Sequence, residues 1–242
     1  MKLEICHLYP DVLNLYGDQG NIVCLQKRLE WRGIEVAVTG LPIGARARLS
    51  EFDLFFVGGG QDFEQGVLLE ELAGEKGADI RAAVLDGKVF FAVCGGYQML
   101  GQYYKTHDGS QMDFLGALDI HTVGARERMI GDYMFDTGEG CCGVVVGFEN
   151  HSGKTYLGNT ASPLGRVLRG FGNNGEDGTE GCRYLNTFGT YAHGPMLPKN
   201  PRLADAILGV ALSAKYPGVT LEELDDEVEN SAHEYMVSRL RK

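Results

Sequence analysis

Two short apolar runs set the frame for everything else in this chain. Leu54-Phe55-Phe56-Val57 and Val89-Phe90-Phe91-Ala92-Val93 contain no polar residue. That is the pattern of strands buried on both faces, not the in–out alternation of a sheet with one wet face. Both stop abruptly, the first at Gly58-Gly59-Gly60 and the second at Cys94-Gly95-Gly96. Strands covered above and below need helices on both sides of the sheet, and the spacing supplies them. Ile22, Leu25 and Leu29 recur at helical period over 22–31 before Gly33, and further helical stretches follow at about 64–74 and 78–86. With strand-like segments at 3–8 and 34–38, the first half alternates strand and helix. This predicts an α/β fold with a largely parallel sheet flanked by helices.

The second half changes character. Residues 105–200 are rich in Gly, Asn and Thr, with short strand-like pieces at 130–135, 143–148, 166–171 and 184–192. They read as extra, longer strands and hairpins continuing a single domain over 1–242. The acidic Gly172-Asn173-Asn174-Gly175-Glu176-Asp177-Gly178 reads as a solvated hairpin tip. Two helical stretches, about 201–214 and 221–241, close the chain.

Charge narrows the function classes. Acidic residues outnumber basic ones 33 to 22, a net charge of −11. Nucleic acid and anionic membrane surfaces are poor partners for such a chain, because phosphate binding needs a basic footprint. No apolar run approaches the roughly 20 residues of a membrane helix, and Met1 to Ile5 do not resemble a signal peptide, so a cytoplasmic location without membrane insertion is expected. The six cysteines show no C-x-x-C spacing, as in a reduced chain, and at least five of them read as small buried hydrophobes.

The exception is Cys94. A buried strand runs straight into helix-like sequence, the residue at the turn is a thiol, and the residues two away on each side, Ala92 and Gly96, are small. A nucleophile elbow needs this: the turn is strained and crowded, so its flanks must be small for the nucleophile to project. A following helix N-terminus also favours a thiolate. The plain alternative is a buried cysteine ending a strand. An acyl-transfer nucleophile requires amide donors where the oxyanion forms. The Gly95 N–H is one candidate, and Gly60, in the glycine loop after the preceding strand, offers a second. That loop matches neither G-x-G-x-x-G nor G-x-x-x-x-G-K-[ST], which argues against a phosphate loop there. A base is needed too. His193, where Phe188-Gly189-Thr190-Tyr191-Ala192-His193 breaks at Gly194-Pro195, is favoured, with His151 its rival. His7, His107, His121 and His233 read as surface or packing residues. No histidines have metal-ligand spacing, and no metal is expected.

Gly59-Gly60, the segment Cys94-Gly95-Gly96-Tyr97-Gln98 and a late histidine, in this order, resemble the class I (triad) glutamine amidotransferases, whose fold is flavodoxin-like. Leu13-Asn14-Leu15-Tyr16-Gly17-Asp18, Gly58-Gly59-Gly60-Gln61-Asp62, Gly147-Phe148-Glu149-Asn150-His151 and Gly189 to Pro195 extend the likeness over nearly the whole chain. Its nearest form is the branch related to cobyric acid synthase that includes the GatD-type glutaminase subunits of lipid II isoglutaminyl synthase. The resemblance implies glutamine as substrate, Cys94 as nucleophile and His193 as general base. It also assigns Arg128 to glutamine binding, a role that suits a guanidinium able to clamp a carboxylate, and Gln98 to the lining of the substrate pocket.

It further implies a heterodimer with a Mur ligase-like partner, MurT, which uses ammonia and ATP to amidate the D-glutamate of the peptidoglycan stem peptide. No P-loop is present, so ATP and magnesium are expected on the partner and no cofactor in this chain. A different amidotransferase complex, or a non-catalytic docking subunit, are the competing readings. One departure stands out. The wider class has an acid two residues after the histidine, and here that residue is Pro195. Either another carboxylate of this chain orients His193, Asp18 and Glu149 first among them, or the partner completes the triad and stimulates an otherwise poor glutaminase.

Overall fold

The central sheet has the order β11 (Cys182–Tyr184), β12 (Thr187–Thr190), β4 (Val89–Val93), β3 (Leu54–Val57), β1 (Lys2–Leu8) and β2 (Glu35–Leu41), parallel throughout except for the edge strand β11. The computed structural model that shows it describes residues 1–242. The first half runs β1 (Lys2–Leu8), α1 (Gln19–Glu30), β2 (Glu35–Leu41), β3 (Leu54–Val57), α2 (Asp62–Ala73), α3 (Glu75–Leu85), β4 (Val89–Val93) and α4 (Gly95–Met99). Every residue of β3 and β4 is buried, as their apolar runs demand. Phe55 of β3 stacks on Phe90 of β4 with ring centres 4.5 Å apart.

The second half builds a second sheet. It comprises β5 (Tyr103–Lys105), β6 (Gln111–Asp113), β7 (Ile120–Asp136), β8 (Val144–Leu157), β9 (Gly165–Arg169) and β10 (Thr179–Glu180), before the chain returns to the first sheet through β11 (Cys182–Tyr184) and β12 (Thr187–Thr190). The β7–β8 hairpin is far longer than the fragments at 130–135 and 143–148 suggest. Its register shifts between Gly124 and Met129, and this irregularity interrupts the alternation that would have announced one strand. A single apolar cluster of 52 buried residues nevertheless runs through both sheets.

α5 (Pro201–Lys215) and α6 (Glu227–Leu240) complete the chain. α6 starts later than the helical pattern from 221 suggests, because tertiary contacts hold the preceding residues out of the helix. The buried Arg28 guanidinium of α1 contacts Asp226 and Asp205, each at 2.7 Å, and Arg32 Nε donates to the Glu222 carbonyl at 2.6 Å. No helix is long and apolar enough to cross a membrane.

Two readings are corrected here. The 172–178 loop is a solvated tip only over its second half: residues 175–178 are exposed, but Asn173 and Asn174 are buried, and their amides donate to the Gly181 carbonyl at 2.9 Å and the Thr155 carbonyl at 3.1 Å. Cys141 is exposed, not a core hydrophobe, and Cys24 is half-buried.

Candidate active site

Four connections leave the carboxyl ends of the neighbouring strands β1, β3, β4 and β12 and converge above the sheet edge, where ligands bind in open α/β folds. From β4 comes Cys94, in the left-handed region at φ 48° and ψ −110°. A non-glycine residue there is strained, and the strain persists only because both flanks fix it. Its amide donates to the Thr190 carbonyl of β12 at 2.8 Å. On the other side, a β-carbon at Gly95 would stand 2.4 Å from the Gly60 carbonyl oxygen, and one at Gly96 would stand 2.6 Å from that of Gly58. The small residues of the elbow are therefore dictated by backbone packed on backbone.

Gly60, from the β3 loop, has an amide without an acceptor inside the chain. Gly95 is the first residue of α4, where an amide has no intrahelical acceptor. The two glycines lie in direct contact, so two free N–H donors sit beside the thiol, as an oxyanion site requires.

β12 delivers His193, fully buried, whose amide donates to the Phe148 carbonyl of β8 at 2.8 Å. The Tyr16 ring meets it edge-on at 4.9 Å. The β1–α1 connection brings Asp18, also fully buried, with Oδ1 at 3.7 Å from His193 Nδ1 and Oδ2 accepting the Gly59 N–H at 2.7 Å. Burial opposes a charged imidazole, but the facing charges of Cys94 and Asp18 outweigh it and push the His193 pKa up to about 10.

The rival His151 is buried differently. Its ring stacks on Tyr191 at 3.6 Å, Nδ1 pairs with the Gly153 carbonyl at 2.8 Å, and Nε2 lies 3.7 Å from Glu149. The Glu149 carboxylate is in turn taken by the Phe171 and Gly172 amides at 2.8 and 2.9 Å. Glu149 thus holds the 172–178 loop and not His193. His7 packs against Phe56, and burial lowers its pKa to about 4.

Above Cys94 opens a cavity of about 270 Å3, with Tyr16, Gly60, Gln98, Arg128, Asn150 and His151 in its walls. His193 lies behind this cavity, outside its lining, and larger hollows elsewhere, such as one of about 580 Å3 beside α6, do not contain Cys94. Arg128 stands exposed at the mouth, on the irregular stretch of β7, and its Nε donates to Asn150 Oδ1 at 2.8 Å. Asn150 donates onward to the Tyr16 hydroxyl, so an arc of three side chains spans the opening. Gln98 lines the cavity, but its amide is committed: Oε1 accepts from Gln65 at 2.5 Å and Nε2 donates to the Tyr191 hydroxyl at 2.8 Å. Tyr191 continues to Thr155 at 2.6 Å, tying α4 and β12 to the second sheet. Sequence reasoning missed Asn150, Tyr16, Gln65 and Tyr191 as parts of the site, since none carries a motif of its own. No group of three or more His, Cys, Asp or Glu side chains is placed to hold a metal ion.

The arrangement suits attack on a small polar carbonyl compound bearing a carboxylate. Comparison with known proteins agrees. Residues 4–201 match the CobB/CobQ-like glutamine amidotransferase domain. The chain is 40% identical over 238 residues to the lipid II isoglutaminyl synthase (glutamine-hydrolyzing) subunit GatD of Staphylococcus aureus (strain N315), covering 98% of this chain and 96% of that protein. The GatD subunit of Streptococcus pneumoniae (strain ATCC BAA-255 / R6) is 40% identical over 216 residues, covering 89% and 82%. A crystal structure of a glutamine amidotransferase from Thermotoga maritima shares the fold at a TM-score of 0.51, with 15% identity over 98% of this chain and 97% of that one. The chain belongs to the CobB/CobQ-like glutamine amidotransferase family.

Proposed function

We propose that this chain is the glutaminase subunit of a lipid II isoglutaminyl synthase. The observation that carries the chemistry is the strained Cys94 elbow, with buried His193 beside it and the free amides of Gly60 and Gly95 at its flank.

In this reading glutamine enters the cavity with its α-carboxylate at Arg128, which Asn150 orients. The Cys94 thiolate attacks the side-chain amide carbon, and the amides of Gly60 and Gly95 take the charge that develops on oxygen. His193 gives its proton to the leaving nitrogen, so ammonia departs and a γ-glutamyl thioester remains. His193 then removes a proton from water, the hydroxide attacks the thioester, and glutamate leaves as the proton returns to the Cys94–His193 pair. Gln98 shapes the wall, its own hydrogen-bonding capacity being spent on Gln65 and Tyr191.

The relatives support a partner subunit and an acceptor in the cell-wall precursor. The GatD proteins it resembles are named as subunits of a glutamine-hydrolysing lipid II isoglutaminyl synthase. The proposed partner is a Mur ligase-like MurT subunit in a cytoplasmic heterodimer. It would hold ATP and magnesium and transfer the ammonia to the D-glutamate of the lipid II stem peptide. The acidic balance of this chain, −11, fits a subunit that leaves phosphate-rich substrates to its partner. The test is reconstitution with such a partner, lipid II, ATP and glutamine. Amidated lipid II should form with the native chain and be lost with Cys94→Ala, while free ammonia should restore it. Amidation that continues from glutamine in the Cys94→Ala complex would refute the assignment.

A further inference from the structure

We propose that Cys141 and Cys142, in the turn joining β7 to β8, form a peroxide-reactive thiol pair: Cys141 is oxidised first, and Cys142 then closes a reversible disulfide onto it. The pair lies outside the cavity above Cys94, and the inference does not depend on the glutaminase reading.

The two thiols are in contact but differ in access. Their sulfurs stand 3.6 Å apart, with Cys141 exposed and Cys142 buried. Thr137 fixes the buried member. Its Oγ1 lies 3.1 Å from Cys142 Sγ, accepts the Cys142 N–H at 3.2 Å and donates to the Gly143 carbonyl at 2.9 Å. A β-carbon at Gly140 would meet nothing within 4 Å, so the approach to Cys141 is open on that side. An accessible thiol beside a second thiol that can resolve it is the arrangement of redox-sensing cysteines.

The surroundings favour a thiolate on Cys141. The Arg183 guanidinium lies over the Phe188 ring at 3.5 Å, and its side chain's one hydrogen bond is to the Thr187 carbonyl at 3.5 Å. No carboxylate takes up that charge; the groups that act on it are the thiols of Cys141, Cys182 and Cys142. Cys141 and Arg183 share the wall of a hollow of about 840 Å3 beside α5, next to Leu164 and Phe188. The Cys142 S–H, the Thr137 hydroxyl and the Arg183 charge together hold the Cys141 thiol below its ordinary pKa. The same contact, with burial, pushes Cys142 up. Three other cysteines give the contrast. Burial pushes Cys6, Cys24 and Cys182 up to about 12, so they stay protonated and inert at neutral pH.

The chemistry balances with hydrogen peroxide as the oxidant. The Cys141 thiolate attacks one oxygen, the S–O bond forms as the O–O bond breaks, and the departing hydroxide takes up the proton that the thiol released. Cys142 sulfur then attacks the Cys141 sulfenic acid. The S–S bond forms as the S–O bond breaks, and the hydroxyl leaves as water with the Cys142 thiol proton. Two thiols and one peroxide give one disulfide and two waters. Adjacent α-carbons stand about 3.8 Å apart, closer than the roughly 4.4–6.8 Å an unstrained disulfide spans, so this bond is strained and readily reduced. Gly140 and Gly143 flank the pair and let the turn take up that strain. Such a pair suits a reversible change, not a permanent staple.

The test treats the reduced, full chain with near-stoichiometric hydrogen peroxide and maps every cysteine by peptide mass spectrometry. We expect the peptide carrying Cys141 and Cys142 to lose two hydrogens and its reaction with iodoacetamide. Dithiothreitol should restore both, while Cys6, Cys24 and Cys182 stay unchanged. Capture on phenylarsine oxide, which chelates closely spaced dithiols, should be lost and regained in step. In Cys142→Ser, Cys141 should stop at the sulfenic acid and be trapped by dimedone. In Arg183→Gln its oxidation at neutral pH should slow several-fold, because less of it is thiolate. A Cys141 that reacts no faster than Cys24 would overturn the proposal. So would one that passes to the sulfinic acid in the native chain without closing on Cys142. If Cys142→Ser does not fold, the peptide map of the native chain decides by itself.

Discussion

A β-carbon on Gly59 would stand 2.7 Å from Cε1 of His193. The middle glycine of Gly58-Gly59-Gly60 is thus a spacer for the imidazole, while its amide binds Asp18 and its neighbour Gly60 packs against Gly95. One short loop sets the positions of His193, Asp18 and the Gly60 amide together.

Gly59→Ala follows from this contact. The methyl group would also stand 3.0 Å from Asp18 Oδ2, so it must push His193, Asp18 or both away from their native places. Displacing a catalytic group by about 1 Å costs on the order of 10²-fold in rate, and overpacking of this kind costs about 1–3 kcal/mol of stability. Glutamate release and thermal melting measure the two effects, and native turnover in Gly59→Ala would contradict the placement.

The two buried histidines separate by role. His193→Ala should lower turnover by roughly 10²–10⁴-fold, the usual cost of losing a general base. His151→Ala should cost less in rate, because that ring stacks on Tyr191 and bonds Gly153 rather than serving the thiol. A larger loss of kcat in His151→Ala than in His193→Ala would reverse the assignment.

Arg128 stands exposed, so its removal should leave the fold intact. Hydrogen bonds to charged groups contribute about 1.5–3 kcal/mol, so Arg128→Ala should raise KM for glutamine roughly 10- to 100-fold with a smaller effect on kcat. An unchanged KM would move the carboxylate site elsewhere in the cavity.

Stability should depend on pH through Glu180. Burial raises its pKa to about 7, against the amide of Tyr191 and the hydroxyl of Thr190, which lower it. A raised pKa means the folded state holds the proton more tightly than the unfolded chain, so this contribution is present below about 4.5 and is lost as pH rises to about 7. His193 acts in the same direction in a higher window, from about 6.5 to about 10. Melting temperature followed from pH 4.5 to 7 should fall less steeply in Glu180→Gln than in the native chain. Identical slopes would show that Glu180 does not titrate there.

The central sheet was legible because β3 and β4 are buried at every position, and an unbroken apolar run has few other meanings. Cys94 was legible from its small neighbours, which the close approach of Gly60 and Gly58 to Gly95 and Gly96 now explains. The β7–β8 hairpin was not, since Arg126-Glu127-Arg128 falls on its irregular stretch and breaks the period. The 172–178 loop misled for a different reason. Asn173 and Asn174 are buried through side-chain hydrogen bonds, and a polar segment folded onto the protein reads the same in sequence as one left in water. Asp18 and Glu149 could not be told apart in the sequence as neighbours of His193, because which of them meets it depends on the order of the sheet.

The most direct test of the account asks which atom attacks glutamine. The chain is incubated with diazo-oxo-norleucine, a glutamine mimic that alkylates the nucleophile, and the adduct is mapped by peptide mass spectrometry. The account predicts one adduct, on Cys94, competed by glutamine and absent from Cys94→Ala. Labelling that persists in Cys94→Ala on another cysteine, such as the exposed Cys141, would contradict it.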